Sequence, residues 1–300
     1  MEVRHTTVGD MEIAYDTLGA AGDPPVLLIS GLSGQLISWD EGFCQELVDR
    51  GLFVVRFDNR DVGLSTHLDS PHFDLMATVG AGAAPPYTLA DMAADTAGLI
   101  MNLGLESVHV VGLSLGGMIG QILAIRYPNL VRSLTSIMST TGNDQVGQPT
   151  EAALALLMSA PPSTREGILE RAVLSNRTTG SPRYPTDESE VRARAARALD
   201  RAYDPPGVAR QLAAALTTPD RTDDLRRLDL PALVIHGADD PLIDVSGGRA
   251  TAEAIRGAEL LVIDGMGHEL PRPLWATVAD RIADFVRLAE KQRTGREDVG

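Results

Sequence analysis

The stretch that most constrains this chain is Val108-His109-Val110-Val111 running into Gly112-Leu113-Ser114-Leu115-Gly116-Gly117, followed by Met118-Ile119-Gly120-Gln121-Ile122-Leu123-Ala124. The first segment has the density of a buried strand, and the last has the small and apolar spacing of a packed helix. Strand, sharp turn and helix follow each other with nothing between them. A serine on such a turn has its hydroxyl pushed out at the carboxyl end of a parallel sheet, because glycines two before and two after it let strand and helix close up. The helix that starts there also aims unpaired N–H groups and a positive dipole end at whatever sits on the serine. A Gly-x-Ser-x-Gly string arises by chance in a chain with 29 glycines. Its meaning here comes from the strand-to-helix context.

The rest of the chain keeps the same rhythm. Glu2 to Val8 and Met11 to Leu18 read as an antiparallel pair at a sheet edge. Pro25 to Ile29 and Leu52 to Phe57 read as buried strands, Val131 to Met138 as another apolar strand, and Pro231 to His236 and Glu259 to Ile263 as further strands, and helices are expected between them: Trp39 to Arg50, Thr88 to Leu103, Ser246 to Arg256 and Leu274 to Lys291. Alternation of this kind predicts an α/β fold, a mostly parallel sheet with helices on both faces. Asp69 to Pro86 reads as an irregular loop at a pocket mouth. From Gly142 to Arg227 no strand-like run occurs, while Glu151 to Met158, Arg165 to Leu174, Glu188 to Arg201 and Val208 to Leu216 have helical composition, punctuated by prolines. The predicted organisation is therefore a core of residues 1–141 and 228–291, an inserted helical lid of residues 142–227, and a polar tail of residues 292–300. Arg192, Arg194 and Arg197 read as a solvated helix face. Asp58 and Arg60 read as polar ties within their loop.

At 300 residues the chain is long enough for one large core. Its formal net charge of -15 argues against nucleic acid, which is bound by clustered Lys and Arg. The single cysteine, Cys44, allows no internal disulfide, and no Cys/His spacing of a metal site is visible, so neither metal nor cofactor is expected. No basic start followed by an apolar run opens the sequence, and no apolar stretch reaches the roughly 18 residues of a membrane span. A soluble, cytoplasmic protein without membrane partners is expected, and a homodimer is left open.

Ser114, Asp240 and His268 each fall just after a predicted strand, at the sheet edge where ligands gather in open α/β folds. A serine hydroxyl needs an adjacent base to act as a nucleophile; an imidazole serves, and a carboxylate behind it fixes the tautomer. Asp239 competes with Asp240 for that role. His5, His67, His72, His109 and His236 are the other histidines, with His109 and His236 inside strands, where a structural role is expected. Glycines in Ser30-Gly31-Leu32-Ser33-Gly34 expose backbone N–H groups at the same sheet edge, and Met138 and Met158 are candidate lining of an apolar substrate pocket.

These segments resemble the α/β-hydrolase family. The resemblance rests on Gly31-Leu32, Asp58-x-Arg60-x-x-Gly63-x-Ser65, Gly112-x-Ser114-x-Gly116-Gly117, His236-Gly237-x-x-Asp240-Pro241 and Gly265-x-Gly267-His268, and it covers nearly the whole chain outside the lid. Within the family it is most similar to small esterases of the aclacinomycin methylesterase type. The resemblance implies Ser114 as nucleophile, His268 as general base and acid, Asp240 as the orienting carboxylate, and the N–H groups of Leu32 and Leu115 as the oxyanion hole. Family spacing selects Asp240 over Asp239. Many relatives have His-Gly where this chain has Ser30-Gly31, a departure that changes what packs behind that turn. The implied activity is hydrolysis of a carboxylic ester of a bulky, largely apolar small molecule. A lactone, carbon–carbon bond hydrolysis, perhydrolysis, and a non-catalytic small-molecule receptor are the alternatives.

Overall fold

The computed structural model describes residues 2–69 and 73–297 of the chain. The described residues form an eight-stranded sheet in the order β1-β2-β4-β3-β5-β6-β7-β8. The strands are β1 (Arg4–Val8), β2 (Met11–Leu18), β3 (Pro25–Ile29), β4 (Phe53–Phe57), β5 (Val108–Leu113), β6 (Val131–Ile137), β7 (Ala232–Gly237) and β8 (Glu259–Ile263). β1 pairs antiparallel with β2, and β2 with β4, while every later pairing is parallel. The opening hairpin lies at the sheet edge, as its sequence predicts. β3 is flanked by β4 on one side and β5 on the other, so the connections leaving β3 and β5 diverge and open a crevice at their carboxyl ends. Ile29 and Gly112 are register partners, which brings the two strand ends level.

The helices are α1 (Glu41–Val48), α2 (Leu75–Ala81), α3 (Leu89–Asn102), α4 (Leu115–Arg126), α5 (Glu151–Met158), α6 (Arg165–Thr179), α7 (Glu188–Arg201), α8 (Pro205–Leu216), α9 (Thr222–Leu225), α10 (Val245–Ala254) and α11 (Trp275–Glu297). The strand period of two sorts the core into two layers. Leu27, Ile29 and Val110 join Leu89, Met92, Ile119 and Leu123 of α3 and α4 on one face. Val26, Leu28 and Val111 join Phe43 and Leu47 of α1 and Val278 and Ile282 of α11 on the other. Leu28 is fully buried, and truncating such a residue to alanine costs about 2–5 kcal/mol.

Local sequence explains most element ends. Thr88 caps α3 by accepting from the Asp91 N–H, and Asp91 Oδ2 accepts from the Thr88 N–H at 2.8 Å, so aspartate completes this capping box. The segment read as an irregular loop contains α2, started by Asp74, whose carboxylate accepts from the Met76 and Ala77 N–H groups. A helix of 7 residues with a glycine inside it has too few turns to show a period. Pro205-Pro206 opens α8 rather than preceding it, since proline at the first helical position gives up no helical hydrogen bond. α11 continues past the end expected from sequence, into the segment read as a tail. α5 to α9 form the inserted helical segment between β6 and β7. Among the described residues no helix is long and apolar enough to cross a membrane.

Candidate active site

Ser114 sits between β5 and α4 with φ 55° and ψ -118°, a left-handed conformation that a side-chain-bearing residue adopts only under constraint. The constraint is close approach. A Cβ at Gly112 would lie 2.2 Å from the Gly116 carbonyl oxygen, and one at Gly116 would lie 2.1 Å from the Ile29 carbonyl oxygen. Two glycines therefore let α4 turn back against its own strand and against the end of β3. The Ser114 N–H donates to the Ile137 carbonyl at 2.9 Å, and Ser139 Oγ donates to the Ser114 carbonyl at 2.8 Å, which pins the turn to β6.

His268, on the loop after β8, places Nε2 3.0 Å from Ser114 Oγ and Nδ1 2.7 Å from Asp240 Oδ2. Its backbone N–H donates to the Thr179 carbonyl at 2.7 Å, so the end of α6 carries part of the histidine loop. Asp240 is buried, and its Oδ1 accepts the Leu242 and Ile243 N–H groups, both at 2.9 Å. Burial alone would raise this carboxyl's pKa; hydrogen bonds from His236 and His268 outweigh it and hold the group well below the ordinary carboxylate range. Asp239 points elsewhere and accepts from the Gly265 N–H at 2.8 Å. The Ser114, His268 and Asp240 side chains thus form one hydrogen-bonded chain.

The Leu32 N–H, after β3, and the Leu115 N–H, at the start of α4, donate to no backbone carbonyl among the described residues. Both flank the Ser114 turn, and the second is one of the orphan donors that any helix start leaves. Met138 follows β6 and is completely buried in the core layer that holds Val111 and Met266, so it backs the site from within. Met158 ends α5 and is half-buried.

The remaining histidines have other partners. His5 meets Glu12 at the edge hairpin at 3.1 Å. His109 contacts Ser133 and Glu290. His236 is fully buried, with Nε2 2.7 Å from the Ile243 carbonyl and 3.5 Å from Asp240 Oδ2, so it lies behind the carboxylate rather than beside the serine. His72 lies outside the described residues. His67 bridges Asp204 Oδ2 at 2.7 Å and the Gly63 carbonyl at 3.1 Å. Ligand atoms of Asp61, His67 and Asp204 converge within 4.8 Å of one another, a grouping that sequence spacing hides because Asp204 comes from the inserted segment. Arg210 already occupies it, with Nη2 2.8 Å from Asp61 Oδ1 and 3.3 Å from Asp204 Oδ2. The buried positive charge there is the guanidinium.

Asp58 and Arg60 are ties, as expected, though not to each other. Asp58 accepts from the Leu36 and Leu64 N–H groups and pairs with Arg201 of α7 at 2.6 Å. Arg60 makes a two-pronged bond to Asp95 of α3. Arg192 pairs with Glu188 and Glu166 on the surface. Leu68, Asp69, Phe73 and Leu75 border a cavity of about 560 Å³, shared with Pro161, Pro205 and Pro206 of the inserted segment.

The family model described as the alpha/beta hydrolase fold matches residues 24–271. Rhodomycin D methylesterase DnrP of Streptomyces peucetius is 30% identical over 310 residues, covering 96% of this chain and 99% of its own. 3-Oxoadipate enol-lactonase 2 of Acinetobacter baylyi is 25% identical, covering 86% of this chain and 87% of its own. The crystal structure of the enol-lactonase from Burkholderia xenovorans LB400 superposes with a TM-score of 0.72 at 22% identity, covering 95% of this chain and 100% of that one, which is a likeness of fold. The chain belongs to the α/β-hydrolase family and is an enzyme of the carboxylic ester hydrolase class.

Proposed function

We propose that the chain is a serine hydrolase that opens a carboxylic ester through an acyl-enzyme. The observation that carries this reading is the continuous chain from Ser114 Oγ through His268 to the buried Asp240, set on a left-handed turn between two N–H groups that donate to no backbone carbonyl among the described residues. Ser114 Oγ attacks the ester carbonyl carbon while His268 Nε2 takes its proton. The oxyanion that forms is held by the Leu32 and Leu115 N–H groups. Collapse breaks the carbon–oxygen bond, and His268 returns the proton to the departing alkoxide, which leaves as the alcohol. Water then gives a proton to His268 and attacks the acyl carbon; the acid leaves and Ser114 recovers its proton. Asp240 holds Nδ1–H and so leaves Nε2 free to accept.

The substrate we infer is a bulky, largely apolar ester, on which the inserted helical segment acts as a lid and Met158 contributes adaptable apolar surface. Support comes from the Ala- and Leu-rich α5 and from likeness to a relative named as a methylesterase. Likeness to an enol-lactonase supports a lactone as the second class, in which the alcohol stays tethered to the acid. Second-order rate constants should be compared for a methyl ester on a polycyclic aromatic scaffold, a macrocyclic lactone, and p-nitrophenyl acetate corrected for its activated leaving group. The polycyclic ester should win. A lead for the small acetate after correction, or for a polycarboxylate at low salt, would contradict the apolar pocket.

A further inference from the structure

The loop after β8 is tied to the core only through its first turn. There the Gly265 N–H donates to Asp239 Oδ2 at 2.8 Å, and the Met266 carbonyl accepts the Asp239 N–H at 3.1 Å. Beyond Met266, the triad's own bonds apart, the hydrogen bonds of Gly267, His268 and Glu269 run to residues 176–181, at the end of α6 and just past it. The Gly267 N–H donates to Ser181 Oγ at 3.0 Å, and the His268 N–H donates to the Thr179 carbonyl at 2.7 Å. Glu269 accepts the Ser181 N–H at Oε1, 2.8 Å away, and Asn176 Nδ2 at Oε2, 3.1 Å away. Ser181 thus holds both neighbours of the histidine, Gly267 by its hydroxyl and Glu269 by its N–H. A Cβ on Gly267 would lie 2.2 Å from the Gly180 carbonyl oxygen, so the two backbones touch with no room for a side chain.

The Thr179 carbonyl is among the acceptors that a helix end leaves without an intrahelical partner, which is why a donor from the histidine loop fits there. The Glu269 carboxylate is a different matter. A negative charge beside a helix C-terminus is opposed by the helix dipole, and here two donors aimed at the carboxylate offset that cost. Other ties between core and inserted segment, such as Gln211 Oε1 accepting the Ser33 N–H at 3.0 Å, lie away from this loop. His268 Nε2 stands 3.0 Å from Ser114 Oγ, so a shift of about 0.5–1 Å in the loop carries it out of hydrogen-bond range. Resting on the reading of Ser114, His268 and Asp240 as a triad, we propose that Glu269 is a positioning residue: clasped by Ser181 and Asn176, it fixes the backbone on the far side of His268 and so keeps Nε2 within reach of Ser114. The end of α6 then belongs to the frame of the active site, and it cannot swing as part of a lid without carrying His268 with it.

Steady-state kinetics on the full chain at pH 8 test this, with p-nitrophenyl butyrate as probe and kcat and KM measured separately. Glu269→Ala should lower kcat by about 10- to 30-fold, short of the roughly hundredfold that a 1 Å misplacement can cost, with KM changed less than about threefold. Glu269→Gln should recover kcat to within about threefold of the parent, because its amide oxygen can accept the Ser181 N–H and its NH2 can meet the Asn176 amide turned over. Asn176→Asp sets one carboxylate against another and should cost about tenfold in kcat. In the Glu269→Gln background the same substitution should cost less than about threefold, since an amide again faces a carboxylate. A clasp that only stabilises the fold lowers the urea midpoint and leaves the kcat of the folded protein unchanged. That result in Glu269→Ala, or equal losses for Asn176→Asp in the two backgrounds, would overturn the proposal. If Glu269→Ala fails to fold by circular dichroism, the Asn176→Asp cycle decides alone, with the same pattern required. Ser114→Ala runs alongside: activity in that variant removes the underlying reading, whereas its inactivity beside an unchanged kcat in Glu269→Ala removes only the role given to Glu269.

Discussion

Asp240→Asn exchanges one carboxylate oxygen for an NH2 group, and the structure decides which. Oδ1 accepts the Leu242 and Ile243 N–H groups, so the amide oxygen must stay there. The NH2 then takes the place of Oδ2, 2.7 Å from His268 Nδ1. A donor facing that nitrogen forces the imidazole to leave Nδ1 bare and carry its proton on Nε2. Nε2–H would then point at Ser114 Oγ and could not accept its proton. The expected loss in kcat is roughly ten thousandfold, or about 5 kcal/mol of barrier, with little change in KM. Asp239→Asn is the control. Its amide oxygen can still accept from the Gly265 N–H, so kcat should stay within about threefold of the parent. Steady-state kinetics on p-nitrophenyl butyrate at pH 8 would decide. An Asp240→Asn variant within tenfold of the parent, or an Asp239→Asn variant that is the slower of the two, would refute the tautomer reasoning.

Burial pushes the Cys44 thiol up to about 12, against Arg56, which favours the thiolate; a disulfide reagent should therefore label the native protein only as fast as it unfolds, and rapid labelling would contradict this. Two groups make stability fall in acid. Burial pushes His109 down from 6.5 to about 4, so the unfolded chain binds a proton that the folded chain refuses, and stability should decline as pH falls from 6.5 towards 4. Asp240, with its carboxyl held below its ordinary 3.8, adds stability that is complete above that value and is lost as pH falls beneath it. Urea midpoints at pH 7, 5.5 and 4.5 should decrease in that order, and His109→Gln should flatten the series; equal midpoints in the parent would be the contrary result. EDTA should leave turnover unchanged, because the Arg210 guanidinium already pairs with both Asp61 and Asp204. Loss of activity with EDTA and recovery with zinc would contradict that.

That Ser114, His268 and Asp240 meet at one sheet edge was legible because each follows a short apolar strand and sits among glycines, features that act within a few residues. The choice of Asp240 over Asp239 needed family spacing; the structure adds the reason, since Asp239 is spent on the Gly265 N–H. The ties between core and inserted helices were not legible. Ser33 and Gln211 lie 178 residues apart, and Arg210 meets Asp61 across 149. Nothing periodic marks a single buried amide or guanidinium, and Arg201 looks like one more member of the arginine-bearing face of α7 until Asp58 is seen beneath it. α2 escaped for a different reason, its brevity. β8 was legible in sequence although Leu260 is exposed and its other residues are only half-buried, because Glu259 to Ile263 is apolar enough to stand out.

The most direct test of the central claim is to trap the acyl-enzyme. The protein would be mixed with excess p-nitrophenyl butyrate, quenched in acid within milliseconds, and examined by intact and peptide mass spectrometry. A butyryl group on the peptide that contains Ser114, formed in step with a burst of p-nitrophenol and missing from Ser114→Ala, is the predicted result. Turnover with no adduct and no burst at any quench time, together with retained activity in Ser114→Ala, would contradict it.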